Sequence, residues 1–142
     1  MRSKKRVLFI STTSNLIENS TSFLCLVKIY EFMKANYGIE GSFIDAARIH
    51  IVENLSCYAN GGSHCASYEA GPYRCWAHLE SIQDPLKYGG VDQMPVIYDS
   101  LLECDAVIFG TSVRWMSHSA VLQKVIERLN TFENRKSVYK EK

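Results

Sequence analysis

The stretch RVLFISTTSNLIENSTS, Arg6 to Ser22, decides the fold. Arg6–Ile10 (RVLFI) is a short, nearly continuous apolar run, the pattern of a parallel strand buried on both faces. A loop rich in hydroxyls follows, and from about Ser22 the period changes. Phe23, Leu26, Val27, Tyr30, Met33 and Tyr37 recur at helical spacing, and Gly38 supplies a stop. The first unit is therefore strand, polar loop, helix.

The rest of the chain repeats that alternation. Gly41–Val52 (GSFIDAARIHIV) has the composition of a second strand. Asp92 offers a helix N-cap with Pro95 in the first turn, and Met94, Ile97, Leu101 and Leu102 give that helix an apolar side. Asp105–Gly110 (DAVIFG) is the third strand candidate, followed by a second polar loop, TSVRWMSHS. A helix over Ala120–Phe132 comes next, with Val121, Leu122, Val125, Ile126 and Leu129 on its buried side, and residues 135–142 form a polar tail. Strands alternating with helices predict an α/β fold with a parallel sheet. The 142 residues suit a single domain.

Residues 53–90 break the pattern. The segment holds Cys57, Cys65 and Cys75 of the five cysteines, together with Tyr58, Tyr68, Tyr73, Trp76 and Tyr88. Gly61-Gly62, Gly71-Pro72 and Gly89-Gly90 interrupt it. A connection of this length points to an insertion with a role of its own, packing over a ligand or against a neighbouring subunit. The wide cysteine spacing is unlike the compact runs of zinc or cluster sites, although His64 and His78 could add ligands to Cys65 and Cys75. Cys25 and Cys104 are expected to be buried small apolar residues.

Composition narrows the partners. The formal net charge is +1, with 22% charged and 46% hydrophobic residues. No single sign of charge dominates, so neither a nucleic-acid nor a membrane partner is expected. No apolar run approaches a membrane-spanning length, and the basic start MRSKKR leads into only four apolar residues; a cytoplasmic location is expected.

The chemistry is expected in the two polar loops. Between Ser11 and Ser22 lie Ser11, Thr12, Thr13, Ser14, Ser20, Thr21 and Ser22, with no Lys or Arg among them. A strand–loop–helix turn aims backbone N–H groups and the positive end of a helix dipole at one spot, and hydroxyls add donors without charge. That combination suits a phosphate; equally, serines and threonines there cap the helix. There is no GxGxxG and no GxxxxGK[ST], which argues against a dinucleotide fingerprint and a P-loop. The second loop lies at the carboxyl end of the third strand, where open α/β sheets place ligands. Its Arg114 and Trp115 can donate to and stack on a planar ring.

The two loops together resemble a known family. ISTTSNLIENSTS is similar to the phosphate loop of NADPH-dependent FMN reductases and multimeric flavodoxin-like quinone reductases, and FGTSVRWMSHSAVLQKVIERL is similar to their second flavin loop. The resemblance implies a flavodoxin-like three-layer sandwich, here with about three strands and incomplete at its carboxyl end. It implies that Ser11, Thr13, Asn15, Ser20 and Thr21 hold the FMN phosphate, and that Thr111, Ser112, Val113, Arg114 and Trp115 line the isoalloxazine ring. It implies NAD(P)H as electron donor, a quinone, free flavin or similar small acceptor, and no obligatory acid–base residue. An apolar third strand at a sheet edge implies a homo-oligomer. Two other functions fit the residues: a non-catalytic flavodoxin-like module, and a metal-binding α/β protein using the cysteine-rich segment.

Overall fold

A computed structural model describes residues 4–55, 75–113 and 116–133. Within them the order is β1 (Arg6–Ser11), a 3-10 turn (Ile17–Asn19), α1 (Thr21–Tyr37), β2 (Glu40–Asp45), α2 (Trp76–Gln83), α3 (Met94–Glu103), β3 (Ala106–Gly110), α4 (Ala120–Arg128) and α5 (Asn130–Glu133). The three strands form one parallel sheet in the order β2-β1-β3. The protein is thus α/β. The chain divides into two compact units, Met1–Ile49 with Asp99–Gln123, and His50–Tyr98 with Lys124–Lys142.

The first unit carries the sheet. β1 is central, and after Arg6 every residue in it is buried, as its unbroken apolar run predicts. Ser20 caps α1 by accepting a hydrogen bond from the Phe23 N–H at 3.2 Å. Gly38 ends the helix in the left-handed conformation, φ 63°, and its N–H reaches the Lys34 carbonyl. Val7, Phe9, Leu26 and Ile39 form the core, with Tyr30, Met33 and Ile108 packed against it. The Phe9 and Phe43 rings stack at 4.9 Å, and Tyr30 meets both edge-on. Two glycines let α1 pack this closely on the sheet. A Cβ on Gly41 would lie 2.5 Å from the Tyr30 ring, and one on Gly110 would lie 2.6 Å from Leu26.

β2 stops at Asp45, seven residues short of the sequence expectation. Its carboxylate accepts from the Ala47 N–H and its carbonyl from the Arg48 N–H, which turns the chain out of the strand. The apolar residues Ile51 and Val52, which suggested a longer strand, are buried in the second unit instead.

In that second unit Val52, Cys75 and Ala77 pack with Leu55 and Tyr88. Met94, Pro95, Ile97 and Tyr98 are the buried residues of α3. Asp92 does not cap α3. The helix starts two residues later, and the Asp92 carboxylate is held by Arg128 and the Val52 N–H. The long helix expected over 120–132 is broken at Leu129 into α4 and α5. Leu122, Val125 and Arg128 are its buried line, whereas Ile126, expected inside, is 45% exposed. Cys25 is exposed and Cys104 half-buried, so neither is the buried small residue the sequence suggested.

The segment 53–90 is described in part: it contains α2, while Cys57, Cys65, His64, Tyr58, Tyr68, Tyr73 and the first two glycine breaks lie outside the described residues, as does the 135–142 tail. Among the described residues no helix is long and apolar enough to cross a membrane.

Candidate functional site

β1 and β3 both end at the same rim of the sheet, with Ser11 in register with Gly110 on one side and Asp45 on the other. The two polar loops therefore leave side by side, and hydrogen bonds join them. The Thr12 N–H donates to the Gly110 carbonyl at 2.8 Å, and Ser22 Oγ donates to the Thr111 carbonyl at 3.1 Å. Ser119 is the hub of this latch. Its Oγ donates to the Thr12 carbonyl at 2.9 Å and lies 3.2 Å from both Thr12 Oγ1 and Thr111 Oγ1. The same oxygen accepts from the Leu122 N–H, capping the first turn of α4. Thr12 is one of the loop hydroxyls the sequence shows, whereas nothing in the sequence singles out Ser119; the pairing of β1 with β3 brings the two together.

Several expected phosphate ligands already have work. Thr13 is buried and its Oγ1 accepts from the Asn15 N–H at 3.4 Å. Ser20 is buried as the α1 cap, so the capping alternative holds for that residue. Thr21 is exposed at the first helical position, and Asn15 is exposed in the loop. Ser11 is 1% exposed, and among the described residues its Oγ, the buried Oγ of half-buried Ser112 and Asp45 Oδ2 have no hydrogen-bond partner, although Asp45 Oδ2 faces Arg48 as an ion pair. Glu18 and His118 are exposed.

A positive charge reaches this rim from outside the loop. Arg48, just past β2, donates through Nη2 to the Asn15 carbonyl at 2.9 Å, with its Nε 3.8 Å from Asp45 Oδ2. The loop thus has the basic neighbour its own sequence lacks. Thirty-three positions separate Arg48 from Asn15, so no local pattern announces the contact.

Apolar side chains are left in solvent on both loops. Leu16 and Ile17 are exposed on the first. On the second, Val113 is 76% and Met116 100% exposed, and Met116 adopts a left-handed φ of 62°. Arg114 and Trp115, expected to face the ring, lie outside the described residues.

These residues fit a phosphorylated flavin in two respects. The α1 N-terminus, the Arg48 guanidinium and the unpaired Ser11 hydroxyl suit a phosphate. The exposed apolar side chains suit the flat face of a ring. The Asp45 carboxylate opposes an anion, and its proximity to Arg48 offsets that charge.

The opposite, amino end of the sheet has a cavity of about 280 Å³, lined in part by Arg6, Glu40, Glu103 and Cys104. It carries charges of both signs, and Arg6 and Glu103 lie 3.8 Å apart.

The second unit holds the other concentration of polar groups. Arg128, 3% exposed, meets Asp92 end-on, Nη1 to Oδ1 at 2.9 Å and Nη2 to Oδ2 at 2.7 Å. Nη1 also donates to the Val52 carbonyl and Nη2 to Cys75 Sγ, while the Tyr98 hydroxyl donates to the Arg128 carbonyl. Burial works against the charge on Arg128, but the Asp92 hydrogen bond and the neighbouring groups outweigh it and hold the guanidinium protonated. Burial pushes the Tyr98 hydroxyl far above its ordinary pKa, so it stays a donor. His78 Nδ1 lies 3.0 Å from the Asp92 carbonyl. Among the described residues no group of three or more His, Cys, Asp or Glu is arranged to hold a metal ion. The sequence hid this cluster because Asp92 resembled a helix cap and Arg128 lies 36 positions from it.

No protein-family model matches the chain, and no curated protein matches it.

Proposed function

We propose that the chain binds FMN at the carboxyl rim of a flavodoxin-like sheet and serves as an NAD(P)H-dependent oxidoreductase for a quinone, a free flavin or a similar small acceptor. The observation that carries this reading is the latch: the Thr12 N–H on the Gly110 carbonyl and Ser119 Oγ on the Thr12 carbonyl hold two polar turns, about a hundred residues apart, on one rim. Open α/β sheets bind their ligands at that rim.

The roles follow from the side chains. The α1 N-terminus with the Ser11 hydroxyl, Asn15 and Thr21 receives the phosphate, Thr13 and Ser20 shape the loop around it, and Arg48 adds a charge-assisted donor. Thr111, Ser112 and Val113, with Arg114 and Trp115, take the ring. FMN held there would supply hydride acceptance and onward electron transfer, and the part of these residues would be to bind, orient and shield it. In this reading residues 53–90 are an insertion before the third strand, the fold is a flavodoxin-like three-layer sandwich, and the protein is a cytoplasmic homo-oligomer. Among the described residues β3 ends the sheet, which favours a partner copy.

A second reading, a flavodoxin-like binding module without turnover, is favoured by the internal commitment of Thr12, Thr111 and Ser119. An absorbance spectrum of the protein with FMN, before and after NADPH under anaerobic conditions, separates the two. Bleaching of bound flavin supports the oxidoreductase. Binding without bleaching supports the module, and absence of binding defeats both.

A further inference from the structure

We propose that Cys75 is an oxidation site, and that the unfilled edge of the Arg128 guanidinium is the cradle for an oxygen added to its sulfur. The proposal stands on the second unit alone and does not depend on flavin binding.

The guanidinium has five N–H bonds in one plane. Both N–H groups of Nη1 are used, by the Val52 carbonyl at 2.6 Å and Asp92 Oδ1 at 2.9 Å. Both of Nη2 are used, by Asp92 Oδ2 at 2.7 Å and Cys75 Sγ at 2.9 Å. The fifth, on Nε, is buried and has no hydrogen-bond partner among the described residues. Since Asp92 fills the end-on pair, the remaining N–H of Nη2 and that of Nε point out together along one side of the plane. That edge is the two-pronged donor that carboxylates and phosphates engage. Here one prong holds the Cys75 sulfur and the other holds nothing. A sulfenic acid presents sulfur and oxygen one bond apart, a two-point acceptor of the kind this edge fits. It would also satisfy a buried donor that is costly to leave unpaired.

The oxidant is a hydroperoxide. A sulfur lone pair attacks one peroxide oxygen, the S–O bond forms as the O–O bond breaks, and the leaving oxygen takes the thiol proton. Sulfur is oxidised by two electrons and the peroxide is reduced to water or an alcohol. A small thiol reverses the product through a disulfide.

Exposure argues for a different order of reaction. Cys25 is exposed on α1 and Cys104 is half-buried, whereas Cys75 is 9% exposed. The test is therefore a competition within the full chain. The protein is treated with hydrogen peroxide at near-stoichiometric amounts, denatured in acid, capped with a maleimide and mapped by mass spectrometry. The expected result is that Cys75 loses maleimide capture first, about tenfold faster than Cys25, the ratio given by one charge-assisted contact. Its peptide should carry an added oxygen or a disulfide. Oxidation of Cys75 no faster than that of Cys25 overturns the proposal. Arg128→Lys keeps the charge facing Asp92 but removes the two-pronged edge, and should bring Cys75 down to the rate of Cys25. If that variant is folded and Cys75 still leads, the assignment of the cradle to Arg128 fails. If it does not fold, the competition in the parent chain decides alone.

Discussion

The rim of the first unit and the centre of the second solve one problem with different groups. Both bury polar atoms, and both satisfy most of them with short hydrogen bonds. In the latch at the rim the groups are neutral: hydroxyls of Thr12, Ser119 and Ser22 against backbone carbonyls, and that of Thr111 against the Ser119 hydroxyl. In the second unit they are charged, Arg128 against Asp92. A neutral latch costs little to desolvate and leaves room for a ligand to compete for its donors. A buried ion pair is costly to form and far more costly to break from one side. The first arrangement suits a surface that exchanges partners, the second a fixed centre.

Substitutions sharpen that difference. Asp92→Ala leaves the Arg128 charge buried and unpaired, and should lower unfolding free energy by about 3–5 kcal/mol in a denaturant titration. Replacing both partners together, Asp92→Leu with Arg128→Met, should cost less than the sum of the single changes, because no charge is stranded. Simple additivity would show that the pair is not coupled as its geometry implies.

At the rim, Ser119→Ala removes the hub that joins the loops and caps α4. A loss of about 1–2 kcal/mol is expected by the same titration. A loss as large as that of Asp92→Ala would erase the distinction between the two regions. Arg48→Ala should leave stability nearly unchanged but weaken FMN binding about tenfold, with little effect on riboflavin, since the guanidinium serves the phosphate. Equal losses for both flavins would move the phosphate elsewhere.

The smallest effect is expected at an exposed pair. The Lys5 hydrogen bond and the Arg6 N–H hold the Asp105 carboxyl below its usual range. A lowered folded pKa contributes stability above the unfolded value, and that contribution fades as pH falls through the folded one. The difference between parent and Asp105→Asn should therefore be small near neutrality and close below about pH 4 in thermal melts.

How much was legible follows the length of the signals. β1, α1 and its Gly38 stop were readable because apolar spacing, a cap and a left-handed glycine agree locally. The position of both loops was readable because parallel strands place their carboxyl ends together. The end of β2 was not, since Ile51 and Val52 are equally apolar whether they extend a strand or enter another core. Arg48, Ser119 and Arg128 were missed for one reason: each acts on a residue at least 33 positions away. No periodicity records a contact of that kind.

The most direct measurement is a fluorescence titration of the protein with FMN and, in parallel, with riboflavin. Saturable quenching by FMN at one equivalent, with riboflavin binding at least about tenfold more weakly, is the expected result for a rim that holds phosphate and ring together. No saturable FMN binding, or equal affinity for the two flavins, would contradict it.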